Sequence, residues 1–423
     1  MDPKERLVID NFFSIGHFDW EIKDFNILTG EMASGKSLCL KLVHFIEQIF
    51  HSNIFFYPIS KESLTKENFY NNLTEQFSSV FHSTDPKTDF HDTIISYSYN
   101  CLDSTFDLSA KWNDNAGKLE WNSEYINNNI GDWRSFLGNN TPDAAKNART
   151  QIHERMSHDF SSSFPIGAEF IPASRAIAAI ANPSDIPDSF LDNFIKGDKP
   201  FVLNFDEISD KYVNKILHLK NIFVNKGKSG NEKTLGAESL DGRQITPLEL
   251  SSGQQELIYL LLLIKNLPRT SFIFGQATSI FIEEPSAHLF PQEQKESTEY
   301  IVKIFRDLQE IKENKIRFFI STHSPYVLNV INNMLKKGYL IEKLNKCADE
   351  NKKQSLAEGI KDIAFPHLMV DEISAHFVKK NVASMINQSE NGAFLYEEMI
   401  EAITQNIDGD YKRVRDLIRQ FKD

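Results

Sequence analysis

The chain has 423 residues, 41% hydrophobic and 25% charged, so it can bury a sizeable core and is not a disordered sequence. A net charge of −13 argues against broad nucleic-acid binding, which calls for a basic face. Three scattered cysteines (Cys39, Cys101 and Cys347) with no CxxC pair argue against a disulfide framework or a zinc site.

Residues 6 to 29 predict two short strands, "LVIDNFFSI" and "HFDWEI", and a third, "FNILTG", that runs into a glycine-bearing loop. Behind the loop, "KSLCLKLVHFIEQIF" spaces its apolar residues as a helix does. Residues 51 to 92 read as helix and loop. The segments "TIISYSYN", "TFDLSAKW" and "GKLEWN" predict an antiparallel meander with turns at Asp103-Ser104 and Asn113 to Gly117. Residues 123 to 165 read as partly helical, and "AEFIPAS" as a strand. Residues 186 to 225, including "DEISDKYVNKILHLKNIF", read as helical, and "VNKGKSGNEKTLGAESLDGRQITP" as a linker.

From 250 onward the predicted order is helix (254–266), strand (271–275), strand (279–284), helix (291–312), strand (316–321) and helix (325–336). That alternation marks a doubly wound α/β core. The last 60 or so residues predict a hairpin turning at Glu390-Asn391-Gly392 and terminal helices. The longest apolar run, Leu257 to Ile264, is far shorter than the ~20 residues that cross a bilayer. The start, "MDPKERLVID", lacks the apolar stretch of a secretory signal, so the expected compartment is cytoplasmic, with no membrane partner. The lysines at 226, 228 and 233, and those from Lys336 to Lys353, read as solvated loops.

Four motifs carry chemistry. Gly30-Glu31-Met32-Ala33-Ser34-Gly35-Lys36-Ser37, followed by Leu38, fits GxxxxGK[ST] between a strand and a helix. Its backbone N–H groups would cradle phosphates at a helix start; Lys36 would bridge the β- and γ-phosphates and Ser37 would ligate Mg²⁺. "SIFIEEPSAHLFP" places two carboxylates at the end of a buried strand. There Glu283 would hold the metal and Glu284 would polarise the attacking water. "FFISTHSPYVLN" puts His323 at the end of another strand, where it could donate to the γ-phosphate. "LELSSGQQELIYLLLLI" sets Ser251, Ser252, Gly253 and Gln254 at a second helix start. The chain's own phosphate loop is already supplied, so this second site suggests nucleotide held by another subunit. An ordinary Ser-capped helix reads the same way in isolation.

In the order loop, signature, acidic strand, histidine, these motifs resemble the ABC-type ATPases, and within them the SMC, RecF and OLD-like branch. "VIDNFFSI", "IEEPSAHLFP", "STHSPYVL" and the Pro-Ala-x-Arg segment in "EFIPASR" carry that resemblance, over roughly residues 5–50 and 168–345. It implies an α/β, two-lobed head: a P-loop core with an antiparallel β subdomain, and a helical signature lobe. The implied divisions are lobe I (1–175), lobe II (176–270), the rest of the α/β core (271–345) and a C-terminal hairpin with helices (346–423).

It also implies ATP and Mg²⁺ as cofactors and a homodimer or higher homo-oligomer that sandwiches ATP, with Ser251 and Gly253 acting in trans. Three segments depart from the family pattern: Glu31-Met32-Ala33 for Pro-Asn-Gly, Ser252 for glycine, and Glu283 for aspartate. They bear on turnover more than on nucleotide binding. Arg175 is placed near the junction of the lobes.

The chain lacks the long coiled coil of SMC proteins, and the residues after His323 lack the acidic strand-end pattern of an OLD-type nuclease domain. It thus resembles stand-alone ATPase subunits of bacterial anti-phage systems of the Septu and PARIS types. The expected function is an ATP-hydrolysing switch that controls a separate effector, a nuclease or toxin. The alternative is a RecF/SMC-like DNA-repair ATPase that binds DNA across its dimer.

Overall fold

A computed structural model of the chain describes residues 4–51, 64–101, 104–136, 142–160, 164–173, 211–226, 233–246, 249–271, 277–310, 316–389 and 392–395. The predicted turn residues Asp103, Glu390 and Asn391, the terminal helices and Arg175 lie outside them.

Five strands form an antiparallel sheet in the order β2 (Ile15–Ile22), β1 (Lys4–Phe12), β4 (Ile94–Cys101), β5 (Ser104–Asn113), β6 (Lys118–Asn122). Each alternates buried and outward residues, as in β2, where Phe18, Trp20 and Ile22 all turn inward. Helices α1 (Lys36–His51), α2 (Lys66–Val80), α3 (Pro86–Asp89), α4 (Glu124–Phe136) and α5 (Pro142–Phe160) accompany this part of the chain. Thr65 caps α2, its hydroxyl accepting from the Asn68 N–H at 3.2 Å.

A second sheet of six strands runs β14 (Ala383–Ser384), β13 (Ile373–Phe377), β3 (Phe25–Thr29), β12 (Ile316–Thr322), β11 (Ala277–Glu283), β7 (Pro165–Ile171). From β13 to β7 every neighbouring pair is parallel. The strands β3, β11 and β12 are buried along their whole length, as a parallel sheet covered on both faces requires. Side chains alternate between the two faces. Phe281 and Phe319 stack at 4.5 Å within the core shared with α1 and the antiparallel sheet. Ile280, Ile282, Phe318 and Ile320 join the opposite core. That core is built from α6 (Lys211–Ile216), α7 (Ser252–Ser271), α8 (Pro291–Gln309) and α9 (Pro325–Lys346). This is an α/β P-loop fold, with the loop between β3 and α1 at the end of a parallel sheet.

One buried ionic cluster ties the two sheets together. The Arg317 guanidinium on β12 meets Glu5 of β1 and Glu47 of α1, and its Nη2 donates to Ser279 Oγ of β11 at 2.8 Å. The Tyr97 hydroxyl donates to the second oxygen of Glu5 at 2.8 Å. One cation faces two carboxylates here. Burial pushes Glu47 up to about 8, against the pull of Arg317. Its Oε2 meets no hydrogen-bond partner among the described residues.

Three sequence readings are corrected. Residues 219–226 form strand β8, not helix, because the chain turns at His218 (φ 52) and pairs antiparallel with β9 (Lys233–Ser239). Tertiary pairing of a segment rich in Ile222, Phe223 and Val224 overrides the helical spacing read from it. The supposed linker therefore holds β9 and β10 (Gln244–Ile245), so the helical lobe carries a three-stranded sheet. Ser271, expected to open a strand, ends helix α7. In addition, β13, beyond the expected end of the core at 345, pairs with β3 inside the main sheet. Helix α10 (Glu350–Lys361) leads to it, and the C-terminal hairpin forms as β15 (Ile386–Ser389) and β16 (Gly392–Leu395).

Candidate nucleotide site

The loop between β3 and α1 is shaped by its glycines. Gly30 has φ 148, and a Cβ there would lie 2.3 Å from the Val378 carbonyl oxygen, so no other residue fits. Gly35 has φ 103 and closes on Ile15 and Ser14 of the β1–β2 turn, at 2.5 and 2.9 Å from a built Cβ. Ala33 adopts φ 58 without being glycine, a local strain in the stretch where the loop departs from the family pattern.

The Lys36 ammonium curls back to donate to the carbonyls of Gly30 at 2.9 Å and Glu31 at 2.7 Å. Burial lowers its pKa, and the negative charge of Glu284 partly offsets that. The Ser34 hydroxyl is buried with no hydrogen-bond partner among the described residues, an orphaned polar atom within the loop. Ser37 is exposed at the first turn of α1, and Leu38 is half-buried behind it. Glu31 and Met32 project outward, with Met32 87% exposed.

The ends of the two neighbouring strands bring the acids and the histidine to the same edge. Glu283 is the last residue of β11 and is buried; its Oε2 accepts from the Ala173 N–H at 3.2 Å, just past the end of β7. Glu284 turns out of the strand at φ 44, with its N–H on the Ser321 carbonyl at 2.9 Å. His323 follows β12, and its Nδ1 lies 2.8 Å from Glu284 Oε2, which also accepts the His323 N–H at 3.2 Å. Glu284 is 18% exposed and His323 59%, so the carboxylate is sheltered and the ring reaches solvent.

The donor set fits a nucleotide with Mg²⁺. A helix N-terminus, positive-φ glycines and an orphaned hydroxyl suit phosphate oxygens. Among the described residues no group of three or more His, Cys, Asp or Glu could hold a metal by itself. A single hydroxyl and one carboxylate, Ser37 and Glu283, match an ion that takes most of its ligands from phosphates and water.

Ser251 to Gln254 open helix α7 as a capping box. The Gln254 N–H donates to Ser251 Oγ at 3.3 Å, and Gln254 Oε1 accepts the Ser251 N–H at 3.0 Å. Gln254 Nε2 reaches the Leu217 carbonyl at 2.6 Å. Gly253 is required by packing: a Cβ there would lie 2.8 Å from the His288 carbonyl oxygen. Ser251 and Ser252 face solvent. Among the described residues no hydrogen bond or ion pair joins residues 251–254 to the phosphate loop. The fold thus gathers the loop, Glu283, Glu284 and His323 at the C-terminal ends of β3, β11 and β12, and Gly253 packs against the loop that follows Glu284. Two contributors escaped the sequence reading: Val378, which presses on Gly30, and the Ala173 amide on Glu283. Neither residue type carries a signal at that distance along the chain.

This arrangement is that of a P-loop nucleotide-binding domain. Residues 25–329 match the family described as "AAA domain, putative AbiEii toxin, Type IV TA system", and the chain belongs to that family. No curated protein matches the chain. Among solved structures it is similar to an SMC head bound to the C-winged helix domain of ScpA. That match has 12% identity and a TM-score of 0.43, and covers 90% of this chain and 97% of that one. It is also similar to the SMC head domain from Thermotoga maritima, at 11% identity and a TM-score of 0.38, covering 91% of this chain and 98% of that one. No helix among the described residues is long and apolar enough to cross a membrane.

Proposed function

We propose that the protein binds and hydrolyses ATP, dimerises around it, and thereby switches a separate protein effector, a nuclease or toxin, in bacterial phage defence of the Septu or PARIS kind. The observation that carries the hydrolytic part is the Glu284–His323 contact at 2.8 Å, beside a phosphate loop that already suits phosphate. Glu284 orients and polarises the attacking water, and the electropositive loop and Lys36 hold the developing charge. His323, held by Glu284, presents its ring toward the terminal phosphate. Bound Mg²⁺, on Ser37 and Glu283, would supply charge neutralisation between phosphate oxygens.

The dimer rests on the signature. Its serines face solvent, and among the described residues no hydrogen bond joins them to the same chain's phosphate loop, which favours a second copy as their partner. The effector role rests on the toxin–antitoxin description of the family together with the acidic balance of −13. Phosphate release from ATP by the purified protein, with light scattering to follow ATP-driven dimerisation, tests the first two parts. Pull-down with mass spectrometry tests the third. Absence of ATP hydrolysis would overturn the reading, and salt-sensitive DNA binding without a protein effector would favour a RecF-like machine instead.

A further inference from the structure

We propose that Gln294, on the first turn of α8, is a positioning residue that fixes the distance between Glu284 and His323; the inference rests on the ATPase reading above. Gln294 touches neither residue, but its side-chain amide joins the two loops that carry them. Nε2 donates to the Leu289 carbonyl at 2.9 Å, on the loop that descends from Glu284. Oε1 accepts from the Ser324 hydroxyl at 2.5 Å, on the residue after His323.

The contacts close into a ring. From Glu284 the chain makes tight turns, with the Ala287 N–H on the Glu284 carbonyl at 3.2 Å and the Leu289 N–H on the Ser286 carbonyl at 3.3 Å. Gln294 bridges Leu289 to Ser324. Ser324 is itself pinned, its N–H on Thr322 Oγ1 at 3.0 Å and its hydroxyl accepting from the Val327 N–H at 3.3 Å. His323 then returns to Glu284 through its backbone N–H and its ring.

Glu284 sits at φ 44, a conformation a non-glycine residue leaves readily unless its surroundings hold it. The amide of Gln294 bonds to both loops at once. Its backbone is anchored too: the carbonyl accepts from Thr298 Oγ1 at 2.7 Å and Ser297 Oγ at 3.1 Å. The bridge therefore starts from a fixed point on a helix, the kind of support that holds a reacting pair in register.

The test uses Gln294→Met, which keeps length and volume but neither hydrogen bond, and Gln294→Glu, which keeps the acceptor for Ser324 alone. Loss of two neutral hydrogen bonds that hold the pair should lower kcat of Gln294→Met about 10- to 30-fold. KM and the affinity for a fluorescent ATP analogue should stay within about twofold, because the phosphate loop is untouched. Gln294→Glu should recover part of the lost kcat. Wild-type kcat in Gln294→Met would overturn the proposal. So would a fall in which nucleotide affinity and melting temperature drop in parallel with kcat in both variants, since that describes a structural role only. Absence of turnover in the unsubstituted protein would overturn the ATPase reading itself, and this proposal with it.

Discussion

The Glu284 carboxylate and the His323 side chain touch, with Nδ1 2.8 Å from Oε2, although the residues lie 39 positions apart. Two neighbouring parallel strands, β11 and β12, deliver them, and Glu283 pairs in register with Ser321. Replacing Glu284 with Gln keeps the shape and removes the charge. ATP hydrolysis should fall about 10²- to 10⁴-fold, as for loss of a positioned general base. Nucleotide binding should persist, and an ATP-bound dimer should accumulate on a sizing column. Unchanged turnover would remove Glu284 from its role.

Lys36 contributes binding rather than shape. Among the described residues its ammonium bonds to the loop carbonyls of Gly30 and Glu31 alone, so Lys36→Ala should leave the melting temperature nearly unchanged. Loss of charged hydrogen bonds to phosphate should weaken ATP binding about 10- to 100-fold, read by titration calorimetry.

Gly253 lets the start of α7 pack closely against the loop that follows Glu284. Gly253→Ala would push its methyl to 2.8 Å from the His288 carbonyl, displacing the start of α7 or the loop beyond Glu284. Nucleotide binding to the monomer should survive, while ATP-driven dimerisation measured by light scattering should be lost. A variant that dimerises normally would separate the signature from assembly.

The buried Arg317 cluster has a stability cost and a pH signature. Arg317→Met strands two carboxylates in the core and should destabilise the protein by about 3–5 kcal/mol in denaturant unfolding. Glu47 is pushed up to about 8 by burial, so the folded state holds a proton that the unfolded state releases at lower pH. Its contribution is complete below the ordinary carboxylate range and disappears as pH rises through about 8. Between about pH 5 and pH 8 the melting temperature should therefore fall, and Glu47→Gln should flatten that slope. An equal slope in the variant would assign it to another group.

The strand–loop–helix at Phe25–His51 was legible because a phosphate loop imposes its own spacing: glycines where φ is positive, then a helix start. The meander β4–β5–β6 was legible because two-fold alternation is local. The stretch 219–226 was not. Its apolar residues fit a helix nearly as well as a strand, and only pairing with β9 decides. The same holds for β13, whose place beside β3 depends on a partner more than 340 residues away.

By itself the sequence determined which groups are present: a phosphate loop ending in Lys36 and Ser37, two acids after an apolar strand, a histidine after another, and a Ser-capped helix. Those are short-range patterns, fixed by backbone geometry and burial within a few residues. Only the tertiary structure decided how they meet. Parallel pairing of β3, β12 and β11 sets three strand ends side by side, so Lys36, Glu284 and His323 share one edge. Side-chain reach then sets the rest: Gln294 spans two loops, Val378 backs Gly30, and Arg317 locks two sheets together. Such contacts depend on distances between segments remote in the chain, and no periodicity along it encodes them.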